Sequence, residues 1–528
     1  GGAAPGGTPP GFGRSFMTPP APVDESKVTE TVDVDVCVVG LGLAGVCALR
    51  EAAESGAKTF GFDKGSDVGY RSGEFGTFGS EIHKQLGIEQ PETQEVVNEL
   101  MKVMGNRPNA QLLNYWIANS GPDLDWYIGT AEHELLTSDH DVPTDPEKPY
   151  VFPERFPVNE NYNWREENYP CFPGMVHLLP DHGWAMHGTL EAAQKAGAEA
   201  RFNLKGEQLI KEGDKVVGVY ASDEDGNIVR VNAKKGVVLS CGDMSSDTEM
   251  LTYYAPQATK YGCFFSTMDK SGKPVNTGDG HKMGMWVGAQ LQDLPLPTMM
   301  HPQAFCWFHG PFLFVNDNGE RFMCEDTWVQ GKSLAINRQP NGEAWSIFDA
   351  NWKTDLVNGL PYGGGMFWDS FRPYGSDLEL APQYFETQIP EYIKAGNAYQ
   401  ADTLDELAKQ IGCDAATVKA TVERYNGMCE AGEDTDYYKK PVFLTPVKEG
   451  PFYALKVGPA LLAVPGGLRT NNDFQCLDAE GAPIEGLYAL GNVMGDICAV
   501  DYPINVAGNS HGRCITYGYL LGHELAGA

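Results

Sequence analysis

No run of about 18 apolar residues, the length a membrane-spanning helix requires, occurs anywhere in these 528 residues. Positive charge is scarce as well: 39 Lys and Arg stand against 71 Asp and Glu, a formal charge of −32. Such a chain has nothing with which to displace counterions, which argues against nucleic acid or an anionic membrane surface as partner. It suits an acidic soluble surface or the steering of a cationic protein partner. Cysteine occurs twelve times, yet no C-x-x-C pair, C-x-x-C-H segment or zinc-ligand spacing appears. That pattern argues against a disulfide framework, a c-type haem, a conventional iron–sulfur cluster and a metal site. Cys37 and Cys47 read instead as small apolar core residues.

What is present points to a large globular protein. Hydrophobic residues make up 42% and aromatics 11%, and the length calls for two or three domains. Residues 1–30 are rich in Gly, Pro, Ala and Thr, cannot bury a core, and read as a tether or surface-draped arm. With Gly rather than Met at position 1, they suggest an exported protein, on the periplasmic or cell-envelope side, that has lost its signal. A cytoplasmic protein whose end was set by cloning is the alternative.

The most informative segment follows directly. Val36-Cys-Val-Val39 runs into Gly40-Leu-Gly42-Leu43-Ala44-Gly45 and then an Ala-rich stretch, the order of strand, tight turn and helix. Asp63 closes the next apolar run, 23 positions after Gly40, the spacing of a ribose-binding acid in a dinucleotide fold. Gly40 allows the turn, Gly42 lets the backbone approach a pyrophosphate, and Gly45 lets helix pack on strand. The pyrophosphate would rest on the positive end of the helix.

Further along, Thr93–Val103 and Gln111–Ser120 read as amphipathic helices, and 138–182 as a loop rich in Pro, Asp and aromatics. Leu190–Ala196 is helical. The strand pair Gln208–Ile210 and Lys215–Ala221 follows, with a hairpin turn at Asp225-Gly226. Gly236–Ser240 is a buried strand ended by Cys241-Gly242-Asp243. Lys282–Gly288, Leu404–Ile411 and Ala415–Met428 are helical, and a last helix closes the chain from about 511 to 526.

Taken together the segments resemble the flavoprotein family of soluble fumarate reductases, urocanate reductases and 3-ketosteroid dehydrogenases. The likeness spans about 31–528. Its blocks, in register, include Gly40–Gly45, Gly236–Gly242, Thr277-Gly-Asp279-Gly280, Asn318-Gly-Glu-Arg321-Phe322 with Glu325, Thr421–Asn426, Pro451–Ala454 and Gly486–Asn492. The resemblance implies an α/β protein in which a discontinuous, Rossmann-like FAD-binding domain (31–298 and 464–528) carries an inserted α+β capping domain (299–463). FAD would lie along Gly40, Gly42, Leu43, Ala44 and Gly45, with adenosine on Asp63 and Lys64. Arg71, Ser72 and Gly76 would wrap the flavin; Gly242, Asp279, Gly491, Asn492, Asn509 and Ser510 would also line it. Tyr70 and Arg71 replace the Gly and Asn usual in the wrapping block.

The same resemblance separates two chemistries. Members that reduce dicarboxylates use arginines as acid and as carboxylate clamps, since a guanidinium fork matches a carboxylate. Here the acid position falls at Val329 or Gln330, the clamp near Asn505 and a histidine near Leu462 or Ala463. Only His301-Pro302 matches, so fumarate is a poor candidate. The ketosteroid branch places Tyr-Pro in the final loop, and Tyr502-Pro503 matches it; a neutral phenol can hold a ketone oxygen. Lys332, one turn beyond the missing arginine, reads as a replacement proton donor or as a solvated helix lysine. Arg321 and Glu325 read as a tie within the cap, and His511 as a group near the flavin or at the closing helix's start. Phe305, Trp307, Phe308, Phe367 and Trp368 read as pocket lining or as core.

The expectation is an FAD-dependent oxidoreductase that reduces or desaturates a C–C bond conjugated to a carbonyl in a bulky, largely uncharged small molecule, such as a steroid-like or plant-derived enone. Its electrons would come from a separate cytochrome or other carrier. The alternatives are an aryl-acrylate reductase of the urocanate or cinnamate type, with Lys332 or Arg372 holding the carboxylate, and a flavin electron carrier without turnover.

Overall fold

A computed structural model describes residues 14–527 apart from 137–144, 146, 154–160, 168–169, 265 and 363–380. Phe367 and Trp368, expected as pocket lining or core, and Arg372, an expected carboxylate anchor, therefore lie outside the described residues.

The first strand, Val28–Val39, is exposed along its first half and buried on both faces from Val36 onward. That is the signature of a strand entering the middle of a parallel sheet. It pairs in parallel with Ile228–Leu239 on one side (Cys37 opposite Val237) and with Thr59–Phe62 on the other (Val38 opposite Gly61). Pro483–Ala489 extends the sheet from the far end of the chain, Leu487 opposite Val237. Gln475–Leu477 beside Pro483–Ala489, Glu199–Arg201 beside Thr59–Phe62, and the hairpin Leu204–Glu212/Lys215–Asp223 complete eight strands among the described residues.

Two helices cover this sheet backbone to backbone. The closing helix, Asn509–Leu525, lies on the first helix, Leu43–Glu54. A Cβ on Gly518 would stand 2.7 Å from Ala44 O and one on Gly522 2.6 Å from Ala48 O, so this contact admits no larger side chain. Residues 14–27 run across the domain surface. Phe16 is buried between the rings of Tyr253 and Tyr254, and the Trp286 indole donates to its carbonyl at 2.8 Å.

A second, smaller sheet joins Glu74–Gly76, Met175–Leu179, Tyr150–Phe152 and Glu134–Leu135. Two of these strands fall inside 138–182, which the sequence alone reads as loop. They are three to five residues long, and Met175–Leu179 pairs with Glu74–Gly76 about a hundred residues upstream. No local periodicity marks such strands.

The chain crosses into the cap at Met299–His301 and returns at Ala460–Ala463. These two crossings pair with each other as an antiparallel ribbon, His301 opposite Ala460. Between them stands a four-stranded antiparallel sheet in the order Leu313–Asn316, Ala344–Phe348, Phe452–Val457, Ala398–Ala401. Leu404–Ile411 and Ala415–Ala431 cover it, capped by the Thr403 and Asp414 side chains, which is where Ser, Thr, Asp and Asn satisfy orphan helix amides. Phe308 is stacked on Phe385 in the cap core (centroids 4.7 Å apart), whereas Trp307 is 54% exposed.

Arg321 does tie the cap together. Its guanidinium reaches Glu325 at 2.8 Å and Asp434 at 2.7 Å, with both carboxylates fully buried. Burial alone would raise Asp434, but the Arg321 pair and the amides of Lys439 and Tyr437 hold it down at about 2. Breaking a buried pair leaves an uncompensated charge, so Arg321→Met is expected to cost about 3–5 kcal/mol, read from denaturant midpoints. A folded-state acid below its unfolded value contributes stability above pH 4 or so and loses it as pH falls toward 2. The gap between wild type and variant should therefore narrow over that acid window; a gap constant from pH 7 to pH 2 would remove Asp434 from the account.

Candidate functional site

The turn after the first strand explains its glycines one by one. Gly40 has φ +98°, and a Cβ there would lie 2.3 Å from Ser240 O. Gly45 faces Gly40 O at 2.0 Å by the same measure, so helix and strand meet without a side chain between them. Gly42 differs: the nearest atom to a Cβ would be Gly69 O at 3.7 Å, an ordinary contact distance, so no clash excludes a side chain at the helix start. Leu43 and Ala44 begin the helix and are buried. This helix and the closing helix both open on glycines, Gly42 and Gly508, with no side-chain cap. The first-turn N–H groups of Leu43–Glu54 are left for an anion, whereas in the closing helix the Ser510 N–H already meets the Tyr502 phenol.

Asp63 lies just past Phe62. Its carboxylate accepts the amides of Leu41 and Gly65, each at 2.7 Å, and burial raises its pKa against those two bonds. Lys64 bonds Thr277 Oγ1 at 2.7 Å and Asp279 Oδ2 at 2.9 Å. Asp279 would be raised by burial, yet Lys64 and Lys205 bring it below its usual value. Gly242, at φ +80°, has only Asn276 Nδ2 near a Cβ, at 3.8 Å. Asp63, Lys64, Asp279 and Gly242 thus gather around the first turn.

At the other end, Arg513 donates to Gly491 O at 2.9 Å and to Asn492 Oδ1 at 2.7 Å, fixing the Gly491-Asn492 turn from one turn inside the closing helix. Asn509 is engaged within its own loop, with Pro503 O and Val506 O at 3.0 and 3.1 Å. Gly76 packs beneath the same loop, where a Cβ would meet Val506 at 2.7 Å. Ser72 sits in the left-handed region at φ 50° and donates to Glu74. Arg71 does not lie along the groove alone; it reaches across to Leu462 O at 2.9 Å on the returning crossing.

The candidate catalytic groups separate. Tyr502 is 2% exposed beside Ser510, and burial pushes its phenol up to about 12. Asp501, next to it, is raised by burial to about 6 against the Tyr502 amide and the Gln330 side chain. Gln330 holds the Met300 N–H at 2.6 Å, so the residue at the expected acid-arginine position braces the hinge ribbon. Asn505 donates to Pro170 O at 3.1 Å. His301 is buried and, chiefly for that reason, held down at about 4, although Gln303 and Glu74 oppose this. Lys332 corrects the reading of a solvated lysine: it is fully buried in the cap, 5.0 Å from the centre of the Phe314 ring and close to His309. His511 anchors to Glu74 O at 2.7 Å. Arg513, Glu74 and His177 were not singled out from the sequence. Arg513 had one usable signal, its place four residues after Asn509 on the same helix face.

A family model described as an FAD binding domain matches residues 35–504. The chain belongs to that family. Glycines clear of any clash at Gly42 and Gly242, the uncapped helix start at Leu43 and an amide-held acid at Asp63 fit an extended dinucleotide, and FAD is the cofactor. The NADH:fumarate oxidoreductase of Klebsiella pneumoniae is 24% identical over 512 residues, 93% of this chain and 47% of its own. The vinyl phenol reductase of Lactiplantibacillus plantarum is 24% identical over 518 residues, 93% of this chain and 95% of its own. Among solved structures, the 3-ketosteroid-Δ4-(5α)-dehydrogenase of Rhodococcus jostii RHA1 superposes with a TM-score of 0.71 at 23% identity, covering 96% of this chain and 99% of that one. That likeness shows the fold. The chain spans about half the length or less of the first curated relatives it matches.

The two open and closed glycines give a paired test. Gly42→Val should fold with an unchanged apoprotein melting temperature and bind FAD at least about tenfold more weakly, a loss of about 1.4 kcal/mol. Gly45→Val should instead fail to fold, because its side chain meets backbone. Equal FAD affinity in Gly42→Val and wild type, read by flavin fluorescence titration, would move the cofactor away from this turn.

Proposed function

We propose that this protein is an FAD-dependent oxidoreductase that adds hydrogen across an activated C–C double bond of a bulky, largely uncharged substrate, a steroid-like or plant-derived enone. Bound FAD supplies the hydride exchange, and this chain's residues bind, orient and manage the proton.

One observation carries the reading. The loop entering the closing helix offers a buried neutral phenol, Tyr502, while Arg321 and Arg513 are engaged with Glu325 and Asp434 and with the Gly491-Asn492 turn. A phenol raised to about 12 stays protonated at neutral pH, so it can donate to a developing enolate oxygen without demanding charge on the substrate. The relatives named above for reductions of fumarate and vinyl phenol support chemistry at a C–C double bond. The net charge of −32 supports a cationic redox protein as electron donor.

A second reading, an aryl-acrylate reductase, is favoured by Arg71. Its guanidinium spans from the wrapping loop to Leu462 O at the domain boundary, where it would meet a carboxylate. Lys332, inside the cap, is a weaker anchor for that role.

Anaerobic mixing of the reduced flavoprotein with a substrate panel, followed at the flavin absorbance band, decides between these. Rapid reoxidation by enones and not by aryl-acrylates supports the main reading, the reverse supports the second, and silence across the panel points to an electron carrier. Tyr502→Phe should slow the best enone about 10²-fold; an unchanged rate would take the hydroxyl out of the mechanism.

A further inference from the structure

Ionisable side chains from four segments remote in sequence converge beside the hinge ribbon. Glu74 and His177 are directly opposed residues of the antiparallel pair Glu74–Gly76/Met175–Leu179. Their side chains meet at 3.5 Å, Oε1 to Nε2, with exposures of 16% and 10%. The Glu74 carboxylate also accepts the Ser72 hydroxyl and the Gly73 amide. Ser72 reaches it from a left-handed backbone, strain of the kind that concentrates at functional sites. From the closing helix, His511 Nδ1 bonds Glu74 O at 2.7 Å, and the His182 ring lies 4.9 Å from the His511 ring. From the hinge ribbon, His301 feels the Glu74 charge. Arg71, on the same loop as Glu74, acts on His511 and bonds Leu462 O.

An alkene reduction consumes one proton for each hydride, and the other candidate donors are poorly suited. Val329 and Gln330 carry no ionisable group. Lys332 is enclosed in the cap. His301 is held neutral by burial, and Tyr502 keeps its proton. Glu74, by contrast, stays ionised: burial would raise it, but His177, Ser72 and the Gly73 amide bring it below the usual range. A fixed carboxylate against an imidazole favours the charged imidazolium, and both side chains keep some access to solvent.

We infer that Glu74 and His177 form the proton-delivery unit of the proposed reduction, with His177 as the donor and Glu74 as its positioning residue. The inference rests on the alkene-reductase reading. Hydride arriving at one carbon of the double bond leaves an electron pair at its neighbour. That pair takes a proton from His177, whose imidazolium becomes neutral and is recharged from water. Glu74 remains ionised throughout.

The test compares FAD-loaded wild type, His177→Gln, Glu74→Gln and Glu74→Asp. Flavin reoxidation by the best alkene of the panel is measured from pH 5 to 9, beside reoxidation by ferricyanide, which puts no proton on carbon. The His177 ring is titrated by NMR in wild type and Glu74→Gln. His177→Gln should lose about 10²-fold or more with the alkene and nothing with ferricyanide. Glu74→Gln should lose less. Its alkaline limb and its His177 titration should both move to lower pH by about one unit, because a neighbouring anion has gone, and Glu74→Asp should restore part of the shift. Alkene rates in His177→Gln equal to wild type would overturn the inference while leaving the reductase reading intact. An unmoved limb and titration in Glu74→Gln would overturn it too, and these measurements decide the matter if His177→Gln does not retain FAD. A wild type that ferricyanide reoxidises and no alkene does would bring down the reductase reading itself, and this inference with it.

Discussion

The closing helix meets the first helix with nothing between their backbones but hydrogen atoms on Gly518 and Gly522. Everything about the cofactor groove depends on that approach. One wall of the groove comes from the turn at Gly40–Gly45, and the other from the Gly491-Asn492 turn that Arg513 fixes from within the closing helix. The two walls are more than 400 residues apart in the chain and become one site only when the helices dock. The parallel pairing of Val237 with Leu487 fastens the same junction from within the sheet. The cap is therefore an excursion between two halves of one domain.

Charge is handled in the same spirit inside an acidic protein. Lys64 lies between Thr277 and Asp279 near Asp63, Arg321 lies between Glu325 and Asp434, and Glu74 is held by His177, Ser72 and an amide. Buried carboxylates are tolerable only when so partnered. The three clusters serve different ends: the first borders the nucleotide turn, the second stiffens the cap, and the third stands where cap and FAD domain meet.

Much of this was legible in the residues. The glycine turn, the central strands, the helices Leu404–Ile411 and Ala415–Met428, and the family all follow from short-range patterns, since turn chemistry and helix periodicity are local. Residues 138–182 were opaque because the strands there find partners by long-range register. The same register pairs Glu74 with His177, which no spacing rule would join. Lys332 shows the converse difficulty: helix periodicity says which face a residue occupies but not that Phe314 and His309 wait on that face. In the sequence Gln330 marks only the place of a missing arginine, whereas its brace on Met300 belongs to the tertiary structure alone.

The hinge ribbon has a mechanical consequence. Two tethers that ran separately would let the cap tilt by loosening either one, but strands hydrogen-bonded along Met299–His301 and Ala460–Ala463 turn only as a pair. Torsion applied at one crossing is shared by the other. His301 and Leu462 therefore travel together, and a swing of the lid changes the distance to Glu74 and the strain on the Arg71 contact in a single coupled motion.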